Sequence, residues 1–141
     1  MTKEDRELLL RDLCSRLPYG VYCMIQGYEM PKRLNRIEVD SVDGNILDFE
    51  LDGTTTLPVQ VYLSEVKPIL RPMQTMTREE FHTVTEYISQ ESHYHGLSPN
   101  ERWAKMYSLT LEWLGKHKFD YNNLIPKELA YDERTVWKSC P

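Results

Sequence analysis

The apolar positions of this chain change rhythm twice, from a spacing of three and four to a spacing of two and back again. Leu9, Leu10, Leu13, Cys14 and Leu17 recur at helical spacing behind Thr2, a cap, and the first-turn acids Glu4 and Asp5. Pro18 and Gly20 end this predicted helix, and Cys14 on its apolar side reads as a small buried hydrophobe. Val21 to Ile25 then reads as a strand, followed by a loop from Gly27 to Arg33 with Pro31 and a charged tip. Ile37 to Val42 alternates apolar and polar, Asp43-Gly44 is a hairpin signal, and Ile46, Leu47, Phe49 and Leu51 form the return strand. Asp52-Gly53 marks another turn before Val59, Val61 and Leu63, with Pro58 at a strand start or edge. Pro68 and Pro72 bracket Ile69-Leu70-Arg71, so residues 66–76 read as a stiff, extended connector between sheet and helices.

Helical spacing resumes at Thr77, which with Glu80 makes a capping box ahead of the stripe Phe81, Val84, Tyr87 and Ile88. Ser98, Pro99 and Glu101 open a further helix. Its wide apolar face, Trp103, Met106, Tyr107, Leu109, Thr110, Trp113 and Leu114, is expected to be heavily buried. Gly115 and the basic Lys116-His117-Lys118 suit its end. Residues 119–141 read as a short helical turn and an irregular tail holding Trp137. The whole predicts a single α+β domain over residues 1–141. It has an N-terminal helix, a four-stranded antiparallel meander able to curl into an SH3-like barrel, and a C-terminal helical hairpin.

Composition narrows the function classes. Net charge is −5, and no segment is net basic: residues 1–20 carry four basic and four acidic side chains, 21–76 five and eight, 77–141 eight and ten. A general nucleic-acid footprint is therefore missing. The three cysteines, Cys14, Cys23 and Cys140, form neither a disulfide framework nor a C-x-x-C pair. No apolar run approaches a membrane span and no signal-peptide pattern opens the chain, so a reduced cytoplasm is the expected compartment.

Candidate chemistry is sparse. His93 and His95 flank Tyr94, with His82 eleven residues before His93 and Glu86 and Glu91 between them, so these histidines are the candidates for a metal site or an enzyme. The simpler reading is a polar loop after a helix. Cys14 and Cys23 fall on buried-looking elements, where thiols are structural. Asp40, Asp43, Asp48, Glu50 and Asp52 crowd the hairpins and suit a solvated sheet face better than acid–base work. The scattered glycines form no phosphate loop, and no catalytic, cofactor or metal residue is assigned. Lys32, Arg33 and Arg36 beside Tyr28, extended by Lys67, Arg71 and Arg78, are the candidates for a single-stranded nucleic-acid patch. Nine tyrosines and three tryptophans exceed what a small core must bury, so a protein partner or self-association is the leading expectation and nucleic acid the alternative.

Three blocks carry a resemblance. Leu8 to Val21 (LLLRDLCSRLPYGV), Val66 to Met73 with Met76-Thr77, and Trp113-Leu114 through Phe119-Asp120-Tyr121 to Leu124-Ile125 resemble, in order and spacing, a group of small uncharacterised proteins. That group is encoded by gut anaerobic bacteria and their prophages or mobile elements. Asn122-Asn123 and Pro126 depart from its pattern in the third block. The resemblance implies an origin on a phage or mobile element and an accessory role; it transfers no site residue.

Overall fold

A computed structural model describes residues 1–40, 44–51, 55–56 and 61–136. The expected turns at Asp43 and Asp52, the residues Pro58 and Val59, and the tail with Trp137 and Cys140 lie outside these residues, as do the side chains of Asp40 and Glu50. The fold is α+β.

Helix α1 (Lys3–Arg16) starts where Thr2 Oγ1 accepts the Asp5 N–H at 3.0 Å. Its buried positions are Leu9, Asp12, Leu13 and Arg16, a spacing of three and four that includes two charges. Cys14 stands one position off that stripe and is exposed, which corrects the expectation that it packs inside.

The sheet holds more strands than the sequence suggests. Strands β1 (Tyr22–Ile25), β2 (Lys32–Asp40) and β3 (Gly44–Leu51) form an antiparallel meander. The short strands β4 (Thr55–Thr56) and β5 (Val61–Tyr62) lie in turn along the free edge of β3. After a 3₁₀ turn, β6 (Val66–Leu70) returns to pair antiparallel with the other side of β1. The first part of the segment read as a connector, residues 66–70, is thus a strand, and Pro68 sits in it opposite Cys23. Strand β7 (Tyr131–Asp132) adds in parallel to β6, followed at once by α4 (Glu133–Val136). With β4 and β5 sharing one edge, this is a six-stranded mixed sheet in the order β4/β5-β3-β2-β1-β6-β7. Among the described residues no pairing joins its two edges, so the four-stranded, SH3-like closure does not describe it.

Alternation sorts the two faces of the sheet. Cys23, Ile25, Leu34, Leu47, Phe49, Val61, Val66 and Leu70 point inward against Leu9 and Leu13 of α1 and Leu124 from the C-terminal segment. A second, smaller core joins α2 (Arg78–Ser89) to α3 (Pro99–Lys116): Val84, Trp113, Leu114 and Phe119 are buried together. Both helices carry their expected caps, with Thr77 and Glu80 exchanging bonds at 3.1 and 3.0 Å and Ser98 accepting the Glu101 N–H at 3.3 Å. The aromatic arrangement of this core is a ladder. His117 stacks on Trp113 at 3.9 Å, Trp113 lies parallel to Phe119 at 6.0 Å, and the Arg71 guanidinium covers Phe119 at 4.2 Å.

Burial on α3 is confined to Leu109, Trp113, Leu114 and Gly115, in its C-terminal half. Trp113 is only 7% exposed whereas Trp103 is 69% exposed. Trp113→Ala should therefore destabilise by about 3–5 kcal/mol, and Trp103→Ala by no more than about 0.5 kcal/mol. Urea midpoints of the two variants check this, and equal midpoints would mean that the apolar face of α3 is misplaced.

Candidate functional site

The clearest surface feature is built by the helix pair. The two helices run antiparallel, because Val84 meets Trp113 while Ile88 and Ser89 meet Arg102 and Met106 across a groove of about 400 Å³. Thr85, Ile88 and Tyr94 line it on one side, and the Tyr94 hydroxyl donates to the Ile88 carbonyl at its floor. On α3, Trp103, Met106 and Tyr107 occupy i, i+3 and i+4, one stripe whose Met106 forms the groove wall. Trp103 and Tyr107 are each 69% exposed and Phe81 on α2 is 58% exposed, so the N-terminal half of the α3 face expected to be buried is turned outward. Exposed aromatic stripes of this kind mark contact surfaces.

The histidine candidates do not converge. His82 stands edge-on to its neighbour Phe81 on α2, and His93 packs edge-on against Tyr87 and Tyr94 at 5.2 and 6.1 Å. His95 is exposed in the α2–α3 connection. Among the described residues no group of three or more His, Cys, Asp or Glu side chains is placed to hold a metal ion.

The basic candidates separate into three sets. Arg33 pairs with Tyr22 and Lys67 with Met24, which puts both cations on the outer face of the sheet; Lys32 pairs with Cys23 and belongs to the opposite face. Lys32, Arg33 and Arg36 all lie in β2, not at a loop tip. Arg36 is answered by Asp48 at 2.7 Å and Glu38 at 3.2 Å, so Asp48 spends its charge on an ion pair. Arg71 holds Glu80 through two bonds of 2.7 and 2.9 Å and lies 3.6 Å from Glu133. One cation that the sequence reading left out joins Arg33 and Lys67: Lys118, whose ammonium lies 5.2 Å from the Tyr22 ring. Its position at the end of α3 gave no sign that it would meet β1.

The two bonds from Arg71, with a further one from the Thr77 N–H, hold the Glu80 carboxyl down at about 2. A folded-state pKa below the unfolded one adds stability that is complete above the unfolded value and is lost as pH falls from about 5 towards 2. Glu80→Gln removes that increment. The melting midpoint of the wild type should therefore drop further than that of the variant on going from about pH 6 to about pH 2.5; equal drops would show that the pair does not form.

Neither described cysteine has the setting of a nucleophile. Burial pushes the Cys23 thiol up strongly, Asp12 adds to this, and Cys14 is also raised by its surroundings. In the folded protein a thiol reagent should modify Cys14 and spare Cys23, which becomes reactive only in denaturant. Peptide mapping by mass spectrometry reads this directly, and rapid native labelling of Cys23 would contradict its burial.

Among the described residues no helix is long and apolar enough to cross a membrane. Comparison with protein-family models, curated proteins and solved structures gives no match.

Proposed function

We propose that this chain is a non-enzymatic protein-binding module, an accessory protein of a phage or mobile element acting in the cytoplasm, whose partner docks on the α2–α3 face. The observation that carries the reading is the pair Trp103 and Tyr107, each 69% exposed on one helical stripe, with Met106 between them in the wall of the α2–α3 groove and Tyr107 itself lining a second cleft with Tyr19 and Tyr121. Aromatic anchors supply most of the binding energy of protein interfaces. A groove between two antiparallel helices suits the apolar face of a partner helix laid along it, with side chains at i, i+3, i+4 and i+7 entering in turn. The mobile-element origin rests on the resemblance of the three sequence blocks alone.

The test is affinity capture from the host lysate, with and without nuclease, by the wild type and by the double variant Trp103→Ala/Tyr107→Ala. A protein partner that survives nuclease and is held at least about tenfold less by the double variant supports the reading. Both side chains are exposed, so the variant's melting midpoint should stay within error of the wild type. A partner held equally by both proteins would remove the α2–α3 face from the reading.

A further inference from the structure

A second cleft lies where α3 faces α1, and no residue of α2 enters it. It measures about 400 Å³ and is lined by Tyr19, Tyr107 and Tyr121. Two of these rings are held in place. The Tyr19 ring rests on α3 at Gly115, where a Cβ would come within 3.7 Å of its Cδ2, and the Lys116 ammonium lies 5.4 Å from the ring centre. Tyr121 shares its hydroxyl with Ser15 at 2.6 Å and keeps its ring 4.5 Å from the Arg16 guanidinium. Tyr107 stands free, 69% exposed. The helix sets the spacing. Tyr107, Leu111 and Gly115 recur at i, i+4 and i+8 on one side of α3, so Tyr107 stands about 12 Å along the axis from the point where Tyr19 rests.

The polar groups of the cleft are unequally engaged. Its charged side chains are Arg11 and Glu112. Glu112 is answered by Lys116 at 3.0 Å, whereas Arg11 is exposed and has no hydrogen bond or ion pair with a described residue. The hydroxyls of Tyr19 and Tyr107 likewise have no hydrogen-bond partner among the described residues. The cleft thus offers flat aromatic walls, two unused hydroxyl donors and one unanswered positive charge.

We infer that this cleft binds a proline-rich peptide segment that carries an acidic residue beside its prolines. Aromatic-lined grooves take such segments because the polyproline helix is already ordered before it docks. That helix rises about 3.1 Å per residue with three residues per turn, so about four residues span the distance from Tyr107 to Tyr19. Prolines at the first and last of these face the same way, one towards the Tyr107 ring and the other towards Tyr19 and Tyr121. The backbone of such a segment makes no internal hydrogen bonds, and its carbonyls accept from the Tyr19 and Tyr107 hydroxyls. An α-helical segment has spent its carbonyls on itself and would leave both hydroxyls unanswered. The carboxylate of the peptide pairs with Arg11, the uncommitted charge.

The test is fluorescence anisotropy of a labelled Pro-Ala-Ala-Pro repeat peptide flanked by aspartates, titrated with the full purified chain. Two matched peptides accompany it, one with alanine for every proline and one with asparagine for every aspartate. The variants are Tyr107→Ala and Arg11→Gln; both side chains are exposed, so each melting midpoint should stay within error of the wild type. Support is binding that weakens about tenfold in Tyr107→Ala, together with a preference for aspartate over asparagine that the wild type shows and Arg11→Gln lacks. No binding of the aspartate-flanked peptide, equal binding of the alanine peptide, an unchanged Tyr107→Ala, or an aspartate preference that survives in Arg11→Gln would each overturn the site. The peptide is supplied pure, so these outcomes are separate from whether lysate capture finds a partner for the α2–α3 face.

Discussion

The buried ion pair between Asp12 and Arg16 ties the two halves of this molecule together. Both side chains sit inside, and every contact that makes this tolerable comes from more than a hundred residues away. Arg16 donates from Nε and Nη2 to Asp12 at 2.8 and 3.0 Å, and from Nη2 also to the Phe119 carbonyl at 2.7 Å. Asn122 Nδ2 donates to Asp12 at 2.8 Å, and the Tyr121 ring lies 4.5 Å from the guanidinium. The Tyr121 hydroxyl in turn shares a 2.6 Å hydrogen bond with Ser15. Such pairs add little net stability over an apolar replacement, because desolvation offsets the attraction, but losing one partner strands a charge. The physical consequence here is registry: Asp12, Ser15 and Arg16 each meet a different residue of the segment 119–122.

That segment is a seam between the two cores. The Arg71 N–H donates to the Lys118 carbonyl and the Asp120 N–H to the Arg71 carbonyl, both at 2.8 Å, so the chain past α3 is laid alongside the end of β6. Phe119 then enters the helical core under the Arg71 guanidinium, while Asp120 turns the chain by accepting from the N–H groups of Leu124 and Ile125 at 2.7 and 2.9 Å. Leu124 drops into the sheet core. Arg71 contributes three times over: its backbone joins the seam, its charge fixes Glu80 at the start of α2, and its plane covers Phe119.

Features that depend on near neighbours were legible in the sequence. Thr2, Thr77 and Ser98-Pro99 mark three helix starts because a cap and its N–H lie three residues apart. The meander from β1 to β3 follows from alternation. What was illegible depended on distant partners. Proline rules argue against a strand at 66–70, yet Pro68 precedes the two residues that register with β7, and pairing with β1 decides the conformation. The burial of Asp12 and Arg16 displaced Cys14 from the expected face because Asn122 and the Phe119 carbonyl cannot be anticipated from α1. Lys32, Arg33 and Arg36 looked like a loop because their β propensity is low, but tertiary pairing outweighs it. On α3, periodicity identified the apolar stripe correctly, although only its C-terminal half finds a cover. Periodicity reports which side of a helix is apolar, not what lies over it.

The end of α3 shows how one local device serves both the core and the surface. The Phe119 N–H donates to the Leu114 carbonyl at 2.9 Å and the Lys118 N–H to that of Gly115 at 3.1 Å, the paired bonds of a Schellman turn. Phe119 and Leu114 make the apolar contact that accompanies such a turn. The left-handed position belongs to Lys118, while Gly115, on which stability alone would place no special demand, stays helical against Tyr19. A lysine in that conformation costs about 1 kcal/mol relative to glycine. The turn itself would form as well or better with glycine, so the cost is not explained by closing the helical core. What the lysine side chain adds is its reach to the Tyr22 ring, with the ammonium 5.2 Å from the ring centre. The constraint that carries Phe119 inward thus also carries the Lys118 charge onto the sheet, and the surface chemistry of the first half of the chain is completed by a residue from the second.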